Sequence, residues 1–428
     1  MDPIVALEQN AIDRQKPMID SLAHGDSDVQ AFYRQKTIFV TGGTGFLGKL
    51  LIEKLFRTCD LKRVYLLIRS KMNCSPVERL SDITNDSIFD SVRRVNPSFA
   101  NNITAIEGDV CELNLGISDA NWHRLAEEVD ILFHIAANVR FDTSLKDVAL
   151  SNVRGTREAL TLGKACRNLK SFVFLSTAFS QATCDVIGKT VSEEFGSCPI
   201  TPDAFIHIAE TYNTEQLNNI APTLVKGWPN TYTFSKAISE ELVRTMGADL
   251  PACVVRPAIV TPTYTEPVPG WLDKSTIYGS NGVALGILMG VLQVIQCDIK
   301  CRIELVPADM TTNATIVAAS TTAAKRTTGY LQTDIYTVTS TRNPIKWRQA
   351  ISIFAEQRFK FASPKTTWFI NPIPIKNSVM FTLLFWLFHY IPGYIFDGLN
   401  IITDSLNCTL KRINFCLCCN IFVSTNGI

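Results

Sequence analysis

The sequence predicts an α/β chain built on a parallel sheet with helices on both faces, and three observations carry that prediction. Short apolar runs recur at Thr37–Val40, Val64–Ile68, Ile103–Ile106, Ile131–Ile135, Phe172–Leu175 and Cys253–Val255. Each is separated from the next by enough chain for a crossover helix. A glycine-rich segment follows the first run directly. With 428 residues, 46% of them hydrophobic and 19% charged, the chain is also long enough to bury such a sheet.

Residues 1–33 are polar and aperiodic, and order is expected to begin at Thr37. The run Thr41-Gly42-Gly43-Thr44-Gly45-Phe46-Leu47-Gly48 then opens a helix over Lys49 to Arg57. Its spacing is G-x-x-G-x-x-G. Gly42 allows the tight turn, Gly45 lets the backbone approach a pyrophosphate, and Gly48 lets helix and strand pack closely. Thr44, Phe46 and Leu47 complete the turn, whose unpaired N–H groups face the anion. This is the signature of a Rossmann-like, doubly wound dinucleotide-binding sheet.

The second strand runs into Arg69-Ser70-Lys71, where an NAD site would carry an acidic residue for the ribose hydroxyl. Two cations suit a 2′-phosphate, so NADPH is expected over NADH; a solvated basic loop is the plainer alternative. After the third strand, Asp109 is placed either to accept from the adenine amino group or to cap a helix.

The fifth strand ends in Leu175-Ser176-Thr177, which puts the Thr177 hydroxyl at the carboxyl edge of the sheet, where ligands bind. Tyr232 and Lys236 stand four apart on a predicted helix and share a face. A phenol has a pKa of ~10, and a neighbouring ammonium is expected to lower it enough to make a general acid. Alone, the Tyr–Lys spacing is weak. Together with the glycine turn and Thr177 it points to hydride chemistry on a carbonyl.

Other classes recede. Lys and Arg number 41 against 40 Asp and Glu, a net charge of +1, so no excess of positive charge exists to bind nucleic acid. Five His and 13 scattered Cys show no zinc-finger spacing. The opening MDPIVALEQNAIDRQ gives no sign of a secretory signal, and the body is expected in reducing cytosol, not secreted.

On these residues the chain resembles extended short-chain dehydrogenase/reductases, with Asn152-Val153-Arg154-Gly155-Thr156 and Arg256-Pro257 matching as well. More closely, Trp228-Pro229-Asn230-Thr231-Tyr232-Thr233-Phe234-Ser235-Lys236, Glu266-Pro267-Val268-Pro269-Gly270-Trp271, Val306-Pro307-Ala308-Asp309-Met310 and Tyr336 to Pro344 resemble alcohol-forming fatty acyl-CoA reductases, the male-sterility type. Phe179 and Ala258 depart from that pattern, where Tyr and Ser are usual. The resemblance implies NADPH-dependent reduction of a long-chain fatty acyl-CoA to a primary alcohol through an enzyme-bound aldehyde. Tyr232 would be the proton donor, Thr177 a second donor to the oxyanion, and Lys236 the ligand of the nicotinamide ribose. A sterol or nucleotide-sugar reductase, or a catalytically inactive cofactor-binding paralogue, are the alternatives.

Organisation follows. A reductase domain is expected over 34–345 and a helical C-terminal region over 346–428, shortened after about Leu399 relative to the family. Gly282, Gly286 and Gly290 recur every fourth residue in an uncharged run, read as a closely packed buried helix before an acyl groove. Asn377 to Phe396 is free of formal charge and long enough to span a bilayer. Membrane association is expected there, at the endoplasmic reticulum or peroxisome with the catalytic domain facing the cytoplasm; spanning, interfacial and core-helix geometries stay open. Cys416, Cys418 and Cys419 are read as a frayed tail before a lipidation site.

Overall fold

The computed structural model describes residues 13, 27–71, 74–141, 143–186, 188–273, 277, 279–357, 366 and 371–395. Phe396, Leu399 and the three tail cysteines lie outside them.

All six apolar runs are parallel strands: β1 (Thr37–Thr41), β2 (Arg63–Ile68), β3 (Ile103–Glu107), β4 (Ile131–His134), β5 (Ser171–Leu175) and β6 (Ala252–Pro257). A further strand, β7 (Asp334–Val338), pairs parallel with β6, and the seven-stranded order is β7-β6-β5-β4-β1-β2-β3. The order reverses between β1 and β4, so their carboxyl ends open a crevice at the sheet's switch point.

Side chains alternate across each strand, and both faces are covered. Phe39, Tyr65, Phe172 and Phe174 join one core with residues of α3 (Gly155–Ala165) and α4 (Thr231–Thr245). Ile38, Val40, Leu66 and Val255 join the other with α1 (Phe46–Thr58) and α5 (Ala308–Thr327). α2 (Asp119–Glu128) adds Leu125 to the first core. Burial on both faces explains why the strands read as continuous apolar runs.

The N-terminal expectation needs correction. Ser27 and Gln30 form a capping box that starts a helix over Asp28–Tyr33. Tyr33 is fully buried, and its hydroxyl donates to Ile316 O on α5 at 2.9 Å. The capping signal lies in the sequence, inside a segment read as aperiodic.

The described chain divides into two compact units, residues 1–276 with 306–339, and residues 277–305 with 340–428. The second therefore takes in a segment that lies, in sequence, within the expected reductase domain. It pairs Ile373–Ile375 parallel with Val294–Gln296, and Ile345–Lys346 antiparallel with Arg302–Ile303. Its helix Gly279–Leu288 is closely packed at one glycine and open at another: a Cβ on Gly286 would lie 3.3 Å from Leu292 Cβ, whereas one on Gly282 would meet only Ile277 backbone at 3.7 Å or more, and Ile287 is the helix's one buried residue. Gly290 lies past the helix end with positive φ. Ser378–Ile395 is the one helix among the described residues apolar and long enough to cross a membrane, yet only 22% of it is buried. Phe381 and Phe385 pack on Val294, and His389 Nε2 accepts from Gln293 N at 3.0 Å, whereas Val379, Leu383, Trp386, Leu387 and Tyr394 are exposed.

Candidate active site

A parallel sheet delivers all its carboxyl ends to one edge, and the predicted site residues follow those ends. Gly42 succeeds β1, Arg69 succeeds β2, Asp109 lies just past β3, and Thr177 lies just past β5. The glycine turn is built for close approach. Gly42 has φ +75°, and a Cβ there would lie 2.6 Å from Ala136 N; a Cβ on Gly48 would lie 2.2 Å from Gly42 O. Gly45 caps α1 without a side-chain hydrogen bond, which leaves the first-turn N–H groups of α1 to an anion. Thr44 sits in the turn, Leu47 packs partly into the core, and the Phe46 ring stacks on Trp271 at 5.5 Å. These features fit a dinucleotide pyrophosphate.

Beside the turn, Arg69 is 62% exposed and its Nη1 lies 3.4 Å from Asp109 Oδ2. Asp109 Oδ1 accepts from Cys111 N at 2.9 Å, so the residue caps its own turn while holding the arginine. Lys71 is exposed and bridges the backbone of Cys74.

The structure brings Tyr232, Lys236 and Thr177 together. Asn230 caps α4 by accepting from Thr233 N at 2.9 Å, which places Tyr232 in the first turn. Thr177 lies near enough to Tyr232 to lower the phenol's pKa; its own Oγ1 accepts from Phe179 N at 3.3 Å and lies 3.5 Å from Pro257 O. Lys236 is 2% exposed; its Nζ donates to Leu175 O at 2.7 Å and lies 4.5 Å from the Phe174 ring centre.

The electrostatics differ from the sequence argument. Burial raises the Tyr232 phenol well above its ordinary value, Glu240 adds to the rise, and the nearby Thr177 side chain offsets only part of it. Burial also pulls Lys236 down to about 7, against the opposing pull of Glu240. The expected ammonium effect is not among the influences on the phenol: burial and the Glu240 carboxylate raise it and Thr177 lowers it, so Tyr232 is a protonated acid rather than a poised phenolate.

Asn152 was quoted only as part of a motif, yet it ties the site together. It lies in a π-helical segment, Ala149–Arg154; its Nδ2 donates to Ser235 Oγ at 2.9 Å and to Asn138 O at 3.1 Å, and its Oδ1 accepts from Asn138 N at 2.7 Å. A π-helical turn often marks a functional site, but its pattern is not legible in one sequence. Two other quoted motifs turn out to be one device. Asp309, at the start of α5, accepts from the N–H groups of Tyr264, Thr265 and Glu266 at 2.8–3.2 Å. Glu266 in turn meets Lys54 at 2.6 Å and Arg57 at 2.8 Å on α1. Burial would raise the Glu266 carboxyl, but Lys54, Asn313 and Arg57 together hold it down to about 2. The strap so pinned carries Trp271 onto Phe46.

Comparison with known proteins agrees with this fold. The male sterility protein family, an NAD-binding type, matches residues 40–315. Fatty acyl-CoA reductase wat of Drosophila melanogaster is 37% identical over 378 residues, spanning 88% of this chain and 71% of that protein. Human fatty acyl-CoA reductase 2 is 34% identical over 377 residues, spanning 87% and 71%. Among solved structures, a reductase domain of a nonribosomal peptide synthetase from Mycobacterium tuberculosis superposes with a TM-score of 0.58 at 20% identity, covering 87% of this chain and 81% of that one. The terminal R domain of the myxalamid pathway gives 0.56 at 20% identity, covering 96% and 86%. The solved structures establish the α/β, Rossmann-like fold alone.

Proposed function

This chain belongs to the fatty acyl-CoA reductase family, and from that premise we propose that it reduces a long-chain fatty acyl-CoA to a primary alcohol with NADPH. The observation that carries the reading is the approach of Tyr232 to Thr177 at the carboxyl edge of a sheet whose glycine turn fits a dinucleotide. Gly42, Gly45, Gly48 and the N-terminal turn of α1 would hold the cofactor's pyrophosphate. The cofactor, when bound, supplies the hydride.

The chain's own residues do the rest. Thr177 and Tyr232 together donate hydrogen bonds to the thioester oxygen as negative charge develops on it. Tyr232 then passes its proton to that oxygen. Lys236 holds the nicotinamide ribose, and its second contact, with Leu175 O, fixes where its charge sits. As the C–S bond of the hemithioacetal breaks, its hydroxyl proton passes to the departing thiolate, which leaves coenzyme A and an aldehyde; with Tyr232 reprotonated from solvent and a second NADPH bound to supply another hydride, the same pair of hydroxyls would serve the aldehyde's reduction. The direct test is incubation of the purified chain with NADPH and C16 to C24 acyl-CoAs, with products resolved by mass. Fatty alcohol is the expected product; cofactor binding without product would favour the inactive-paralogue alternative.

NADPH preference rests on Arg69. One charge-assisted phosphate contact contributes about 1.5–3 kcal/mol. Arg69→Ala is therefore expected to raise the NADPH KM by about tenfold or more and leave NADH use nearly unchanged. Equal effects on both cofactors would reject the assignment.

The exposed face of Ser378–Ile395 supports contact with a lipid surface, in keeping with an apolar substrate. Because one face of this helix is packed in its own unit, the helix lies in the membrane interface in this reading and does not span. The full-length protein is expected to pellet with membranes and to resist high salt, since salt screens charge and leaves apolar attraction intact. Leu383→Lys with Leu387→Lys should release it. Substitution is the cleaner test than truncation, because Ile373–Ile375 pairs with Val294–Gln296 and a cut at Pro344 would unpair that strand. A soluble parent protein would overturn the reading.

A further inference from the structure

The face of α4 that carries Tyr232 and Lys236 carries a third ionisable group one turn on, Glu240. The strand end it meets offers three groups in register. Tyr232 lies near enough to Thr177 for its pKa to feel that side chain, Lys236 Nζ donates to Leu175 O, and Ser176 Oγ donates to Glu240 Oε1. Glu240 is 4% exposed and Arg256, on β6, is 1% exposed. Arg256 holds both carboxylate oxygens, Nε to Oε1 at 3.0 Å and Nη2 to Oε2 at 2.6 Å. Its remaining donors reach Ser192 O at 3.2 Å and Glu194 O at 3.0 Å.

A buried ion pair is a poor device for stability, since apolar residues of like volume often serve as well. A bidentate one is a good device for geometry. We propose that Glu240, locked by Arg256, is a positioning residue of the reduction: it moors the Leu175–Thr177 strand end to α4 and sustains the positive charge of Lys236. This rests on the reading that Tyr232, Lys236 and Thr177 carry the chemistry.

Lys236 shares its helix face with Tyr232 and Glu240, the latter held by Arg256 of β6, and its charge acts on His134 of β4. Burial pulls His134 down to about 3, with Lys236 adding to the effect, so it is neutral. Glu240 is the anion that opposes desolvation of the lysine.

The test is the pH profile of kcat/KM for the full chain with NADPH and palmitoyl-CoA. Glu240→Gln keeps the side chain's size and removes its charge, so Lys236 gives up its proton at lower pH. The alkaline limb is expected to move at least about one unit to the acid side, and Glu240→Asp to restore it. A limb that superimposes on the parent's overturns the proposal.

A second readout needs no substrate. The Lys236 pKa is lower in the folded chain than in the unfolded one, so between the two values the unfolded chain binds the extra proton and stability rises with pH. The difference in Tm between parent and Lys236→Met isolates that rise. It should begin near pH 7 in the parent and lower in the Glu240→Gln background; the same onset in both overturns the coupling. If the parent fails to reduce acyl-CoA, the proposed function falls and this series still decides the role of Glu240. If Glu240→Gln does not fold, Ser176→Ala decides, because it removes only one mooring: kcat should fall roughly tenfold with the limb unmoved, and an unchanged kcat overturns the proposal.

Discussion

Tyr232→Phe is expected to lower kcat by about 10²- to 10⁴-fold while cofactor affinity survives, because the change keeps the ring and deletes only the acid. The ring's surroundings favour a clean test. Phe141 lies 6.2 Å away, centre to centre, and α4 keeps its Asn230 cap. Burial raises the phenol's pKa, so it stays protonated across the working range, and the loss should be nearly independent of pH below the limb set by Lys236. Lys236→Ala should lose both rate and cofactor affinity. Thr177→Val should cost less than Tyr232→Phe, since one of two donors to the oxygen remains. Acyl-CoA-dependent NADPH oxidation measures all three, and a Tyr232→Phe rate within about threefold of the parent rejects the assignment.

Gly42→Ala should be the most damaging single methyl in the glycine turn. The new Cβ would face two backbone atoms, Ala136 N at 2.6 Å and Ala136 Cα at 2.8 Å, and φ is +75°. Strain at that φ costs about 1–2 kcal/mol, and overpacking against backbone that cannot yield costs about 1–3 more. A loss of about 2–5 kcal/mol in denaturant unfolding is expected, with cofactor affinity lost alongside. Gly45→Ala separates the two effects. Its Cβ would meet only Gly42 O at 3.4 Å, an ordinary contact, so stability should hold while the backbone's approach to a pyrophosphate is obstructed. Equal destabilisation by the two substitutions would contradict this geometry.

What the sequence discloses about this molecule is what is local. Buried parallel strands are apolar throughout, so six of the seven strands announce themselves, and the glycine turn is contiguous. β7 escapes because Asp334-Ile335-Tyr336-Thr337-Val338 mixes polar and apolar residues at the sheet's edge, where only Ile335 is fully buried. The Tyr232–Lys236 spacing is legible as helical period. Their electrostatics are not, because desolvation depends on what the fold places around them. Glu240 and Arg256, or Glu266 and Lys54, carry no mutual signature along the chain; the crossovers alone bring them together. The same holds for Ile277–Leu305, whose partners lie beyond residue 340.

The hydroxyl of Tyr33 and the carbonyl of Ile316 are 283 residues apart in the chain. On a ribosome adding about 5–20 residues per second, that is an interval of about 15–60 s. The helix over Asp28–Tyr33 therefore waits for α5 before the hydroxyl of its aromatic side chain meets its acceptor. Throughout that interval the Tyr33 hydroxyl lacks its acceptor beside a half-finished sheet, and a contact begun early is completed only when α5 has been made. Nascent chains stalled before and after α5 emerges would differ in their need for chaperones, with the demand ending when residue 316 clears the exit tunnel.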